Sequence, residues 1–167
     1  MSSTERIFYW TEAFLTLSPE SKSILLSEES ASDPLSIFQF GSAVDELHRE
    51  LCGASLDFSA AFKLLDALPQ FYDHERWEVL IELSRSYFSL VEDSQKCDPF
   101  KLELDWKSLE YRDVSFDIYL AGIVEISKSV REILLGSPHS ITSFIFAPNE
   151  YLSSFDRFGG LNVDASG

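Results

Sequence analysis

Asp73-His74-Glu75-Arg76-Trp77-Glu78-Val79-Leu80-Ile81-Glu82-Leu83-Ser84-Arg85-Ser86-Tyr87-Phe88-Ser89-Leu90-Val91-Glu92-Asp93 is the stretch on which the fold class turns. Trp77, Leu80, Ile81, Ser84, Tyr87, Phe88 and Val91 recur at three- and four-residue steps, so one side of a helix meets a core, with Ser84 its one polar member. Glu75, Glu78, Glu82, Arg85, Ser89 and Glu92 fall on the other side and face water. Asp73 stands where a helix start wants an acceptor side chain.

The same grammar runs back to the N-terminus. Asp57 caps a helix over 58–68, on which Phe58, Phe62 and Leu65 share a face before Pro69 stops it. Asp33-Pro34 opens another, with Ile37, Phe40, Val44, Leu47 and Leu51 on one stripe and Gly53 as its end. Ser18-Pro19-Glu20 starts a short helix through Leu26. Ser2 and Glu5 form a capping box ahead of Ile7, Trp10 and Phe14.

Beyond Asp93 the period changes. Over 100–106 apolar and charged residues alternate, which predicts a strand with one buried face. A long helix is expected over 114–135, apolar on most sides, with Gly122 allowing a neighbouring helix to approach. The β-formers of 141–146 suggest a second strand or a buried turn of helix, and Pro148-Asn149-Glu150 a last short helix through Phe155. The expected fold is therefore mainly α: a single-domain helical bundle of six to seven helices over 1–158, with a minor two-stranded β element (100–106 and 141–146). The tail 159–167 is expected to fray.

Composition limits the function. The chain has 167 residues, 45% hydrophobic and 14% aromatic, enough to build a core without staples. Cys52 and Cys97 form no disulfide framework and point to a reducing compartment. The N-terminus carries no basic leader and no segment is long and apolar enough to cross a membrane, so a cytoplasmic protein is expected. The 28 acidic against 13 basic residues give a formal net charge of −15. Such a field repels nucleic acid and anionic membrane and attracts a basic protein surface.

Chemical motifs are sparse. GxSxG, GxxxxGK[ST], GxGxxG and HExxH are absent. His48 and Cys52, four apart on one helix, have the spacing of a base and a nucleophile, but no third group to orient them can be named. His74 with Asp73, Glu75 and Glu78 offers His and carboxylate at four-residue spacing, which a metal could use, but zinc or iron needs three or four ligands and no second half with recognisable spacing is present. No catalytic, cofactor-binding or metal-binding residue is assigned, and no cofactor is expected.

What remains is an acidic surface: Asp45, Glu46 and Glu50 around Arg49 on the third helix, and two groups in larger surplus, Glu75, Glu78 and Glu82 with Tyr72, and the 98–117 stretch of Asp98, Glu103, Asp105, Glu110, Asp113 and Asp117 with Trp106 and Tyr111. They suggest a bacterial protein-binding module that neutralises a basic partner by occlusion, as an immunity protein inhibits its cognate toxin. Two alternatives stand beside it. A secretion chaperone or adaptor would offer the 100–106 strand edge for β-addition. An enzyme would need His48 with Cys52, or His74 with carboxylates, in contact within a pocket.

Overall fold

The computed structural model describes residues 1–105, 117–122, 125–137 and 139–161, which fall into two units, Met1–Leu104 and Asp105–Gly167. The protein is mainly α with a small parallel two-stranded sheet. None of its described helices is long and apolar enough to cross a membrane.

In the first unit, α1 (Ser3–Thr16) begins at the Ser2/Glu5 capping box. Helices α2 (Pro19–Leu25) and α3 (Pro34–Gly53) begin at Ser18 and Asp33, each followed by proline in the first turn. Asp57 caps α4 (Phe58–Asp66), and α5 (His74–Asp93) follows Asp73, whose side chain, against expectation, makes no cap hydrogen bond. Trp10, Phe14, Val44, Phe58, Leu80, Leu83, Tyr87 and Val91 fill the core between α1, α3, α4 and α5. Helices α1 and α3 pack closely at Gly41, where an added Cβ would lie 2.7 Å from Thr11 Oγ1 and 3.0 Å from the Ile7 carbonyl.

Three expectations fail. First, 100–105 is helix and not strand, within α6 (Pro99–Asp105), and residue 106 lies outside the described part. Asp98 Oδ1 accepts the Phe100 and Lys101 N–H groups, both at 2.9 Å, the same Asp-Pro start that opens α3. Seven alternating residues matched a strand, but the cap preceding them had already committed the backbone. Second, no helix runs from 114 to 135. Ile118–Ala121 is strand β1, and the helix α7 spans only Lys128–Gly136, starting at its Ser127 cap. Third, Gly122 lies in no helix: it has φ +64° where the chain leaves β1, and among the described residues no atom lies within 4 Å of an added Cβ. Residues 114–116, 123 and 124 lie outside the described part.

The region 141–146 does contain a strand, β2 (Ile141–Phe144), but it pairs in parallel with β1, Ile118 opposite Ile141 and Ala121 opposite Phe144. Parallel strands need a long connection, and α7 lies in it. A 3₁₀ helix covers Asn149–Ser154. Of the expected frayed tail, Gly159–Leu161 are held: Asp156 pairs with Arg131 and accepts the Phe158 and Gly160 N–H groups at 2.8 and 3.0 Å, and Leu161 bridges to Phe155. Residues 162–167 lie outside the described part.

Two helix ends place a residue with a Cβ in the left-handed conformation. Ser55 (φ 61°) follows α3 and Gln95 (φ 54°) follows α5. In each, a six-to-one bond closes the turn: Leu56 N–H to the Leu51 carbonyl at 2.9 Å, and Lys96 N–H to the Val91 carbonyl at 3.1 Å. A glycine in place of Gln95 would relieve the steric cost while loosening the unfolded chain, so Gln95→Gly should stabilise by about 0.5–1 kcal/mol. A urea midpoint that fails to rise in this variant would show that the unfolded-state term wins.

Candidate functional site

Two places in the first unit concentrate chemistry, one sealed in the core and one on the surface. The sealed one arises because the core side of α3 is rotated from the expected stripe. Ile37, Val44, Asp45, His48 and Cys52 are buried, while Phe40, Leu47 and Leu51 are only partly so. Polar side chains therefore enter the core, and each has found a partner.

Arg6 of α1 meets Asp45 with two hydrogen bonds, Nε to Oδ1 at 2.8 Å and Nη2 to Oδ2 at 3.1 Å. Burial alone would lower the guanidinium pKa, but the adjacent Asp45 carboxylate raises it instead. Arg6 also lies 4.5 Å from the centre of the Phe100 ring. His48 Nε2 is 3.2 Å from Asp98 Oδ1, and Asp98 Oδ2 accepts a short hydrogen bond from the Tyr87 hydroxyl. Cys52 Sγ is 3.5 Å from His48 Nδ1.

Asp98 is the hub. Burial pushes its pKa up, yet hydrogen bonds from His48, Tyr87 and the Lys101 N–H outweigh that and hold it down to about 2. The Cys52 thiol goes the other way: burial, then the Asp98 charge, push it up to about 12. Burial and the Asp98 carboxylate likewise raise the Tyr87 phenol. Trp10 stacks on Tyr87 at 3.8 Å and meets the His48 and Phe58 rings edge-on. The Trp10 indole N–H is the one buried side-chain polar atom without a hydrogen-bond partner among the described residues.

Cys52, His48 and Asp98 thus stand in the order of a nucleophile, a base and an orienting acid. Their surroundings oppose that use. Cys52 is 0% exposed and its thiol keeps its proton, whereas a reactive cysteine is a partly exposed thiolate. As held, the cluster ties α3, α5 and the start of α6 together. His74, the other histidine weighed for chemistry, lies between the Asp66 carboxylate at 3.1 Å and the Phe71 carbonyl at 3.2 Å. Among the described residues, no group of three or more His, Cys, Asp or Glu could hold a metal ion.

The surface place is the corner between α4 and α5. Tyr72 is 85% exposed in the connection between them, and Leu64 of α4 and Leu68 just after it are also more than half exposed. Glu75, Glu78 and Glu82 are exposed along α5, as expected, though Ser21 Oγ donates to Glu82 at 3.0 Å. Of the second group, Asp105 is the exposed last residue of α6. Trp106, Glu110, Tyr111 and Asp113 lie outside the described residues. The strand edge expected of 100–106 for β-addition is absent over 100–105, which are helical.

Sequence reasoning placed Asp98 and Asp45 among the surface acids, whereas both are buried, and it missed the polar role of Tyr87 and the Arg6–Asp45 pair. For Asp98 a signal was present: Asp98-Pro99 repeats the Asp33-Pro34 helix start. For Arg6 and Asp45, 39 positions apart, local pattern carries none. Compared with protein-family models, curated proteins and solved structures, the chain finds no match. Function therefore has to be argued from these residues alone.

Proposed function

We propose that this chain is a binding module which holds a partner protein of basic surface and neutralises it by occlusion, in the manner of a bacterial immunity protein bound to its toxin. It works in the cytoplasm without catalysis, and neither nucleic acid nor membrane is its ligand. The observation that carries this reading is Tyr72, 85% exposed and followed within six residues by the exposed carboxylates of Glu75 and Glu78. Interface energy concentrates in aromatic anchors, while charge around them speeds and selects encounters. The steering field belongs mainly to this unit: 19 of the 28 acidic residues, but only eight of the 13 basic ones, lie in Met1–Leu104.

The test is quantitative capture with the tagged full chain and with a Glu75→Lys/Glu78→Lys variant. Both carboxylates are exposed, so the variant should keep its helical circular-dichroism spectrum. A basic protein enriched on the native chain should associate roughly tenfold more slowly with the variant at low salt, and the gap should close at high salt. If native and variant baits retain the same proteins at the same rates, the acidic face is not the docking surface.

A further inference from the structure

The α4–α5 corner is shaped for something more specific than a charged patch. Leu68, Pro69, Gln70 and Phe71 line a shallow cleft of about 320 Å³. That is the small end of the roughly 300–1,000 Å³ range of ligand pockets, with room for a side chain or two. Three of its four lining residues are apolar, and Gln70 supplies an amide at the wall.

The corner is also rigid before anything binds. Leu68 N–H donates to the Leu65 carbonyl at 2.9 Å and Phe71 N–H to the Leu68 carbonyl at 3.1 Å, two tight turns around Pro69. The Phe71 ring packs edge-on against Phe62 and His74, with centroids 6.2 and 4.9 Å away. The His74 ring in turn spans from the Phe71 carbonyl to the Asp66 carboxylate. A preformed cleft loses little further entropy on binding. In the chain on either side of it, Asp66, Asp73, Glu75 and Glu78 outnumber Lys63 and Arg76, and all six are exposed. Apolar floor, acidic rim and fixed backbone together define an occupant.

We infer that this cleft receives one apolar side chain, of leucine or phenylalanine size, presented by a lysine- and arginine-rich segment of the partner protein. The aliphatic or aromatic group sits against Leu68, Pro69 and Phe71, with Tyr72 closing over it, and the flanking cations face the Asp66, Asp73, Glu75 and Glu78 carboxylates. This rests on the protein-binding reading above and narrows it to an anchor.

Two fluorescein-labelled peptides test it on the full chain by fluorescence anisotropy: one with a single Phe between pairs of Lys and Arg, the other with Ser in place of Phe. The Phe peptide should bind about tenfold more tightly. Leu68→Ser, a change at an exposed position, should abolish that preference, whereas Glu78→Lys should weaken both peptides alike. Equal binding of the two peptides overturns the anchor while leaving the charge-steered reading in place. A Phe preference that survives Leu68→Ser places the anchor elsewhere and also overturns it, as does absence of binding by either peptide at low salt. The capture experiment on the Glu75/Glu78 variant fails or succeeds independently of these outcomes.

Discussion

Asp98→Ala is expected to lower unfolding free energy by about 3–5 kcal/mol, since each buried polar group left without a partner costs about 1–3 kcal/mol and a lost helix cap about 1 kcal/mol more. The change strands the Tyr87 hydroxyl and His48 Nε2 in the core and takes the cap from α6. Small domains have only about 5–15 kcal/mol in total, so the variant will be marginal at room temperature. Asp98→Asn keeps an acceptor for the α6 N–H groups and gives up the charge. Its loss should be smaller, about 1.5–3 kcal/mol. Urea unfolding of both variants measures the difference, and equal stabilities for the native chain and Asp98→Ala would remove Asp98 as the hub.

The same carboxylate fixes part of the acid response. Its pKa is about 2 in the folded chain, below the ordinary 3.8, so its contribution is complete above about pH 4. That contribution disappears as pH falls from about 4 to 2, because the unfolded chain takes up the proton first. Glu5, Glu20, Asp33 and Asp156 are also lowered, so the native chain loses stability in acid for several reasons. The Asp98-specific part is the difference between native and Asp98→Asn stability, which should shrink steadily over that window. A difference constant from about pH 5 to 2 would contradict the assignment.

Asp45→Ala carries the second large effect. It leaves the Arg6 guanidinium buried without its carboxylate, again at about 3–5 kcal/mol. The pair itself is not expected to be worth that much. Replacing both residues by apolar groups of similar size, Arg6→Met with Asp45→Leu, should recover most of the loss, since desolvating two charges offsets their attraction. The Phe100 ring that Arg6 covers would then meet the introduced thioether side chain instead. A double variant no more stable than Asp45→Ala would mean that the pair holds α1 on α3 by a geometry apolar packing cannot replace.

The first five helices were legible because their signals are local. A cap reaches three residues, as Ser2 to Glu5 and Asp57 to Ala60 do, and an apolar stripe repeats within one turn. The same locality misled where two local signals disagreed. Over 100–106 the alternation was weaker evidence than the Asp98-Pro99 cap just before it. Over 118–121 a run of Ile, Tyr, Leu and Ala reads as well in a helix as in a strand, and only pairing with Ile141–Phe144 separates the two.

The surface corner was half legible. Glu75, Glu78 and Glu82 follow from the helix period, and Tyr72 from its place between a proline stop and a helix start. That Leu64 and Leu68 also remain exposed does not follow, since apolar residues in sequence predict burial.

The acidity, the mainly helical class and the positions of α1 to α5 were thus set by the amino-acid sequence alone, because caps, prolines and periodic apolar residues act within a few positions of themselves. Tertiary structure decided which side of α3 faces inward, and so buried Asp45, His48 and Cys52. It also brought Asp98 to His48 across 50 positions. A polar side chain can enter a core only if a partner meets it there, and that meeting is a property of packing that no local pattern encodes.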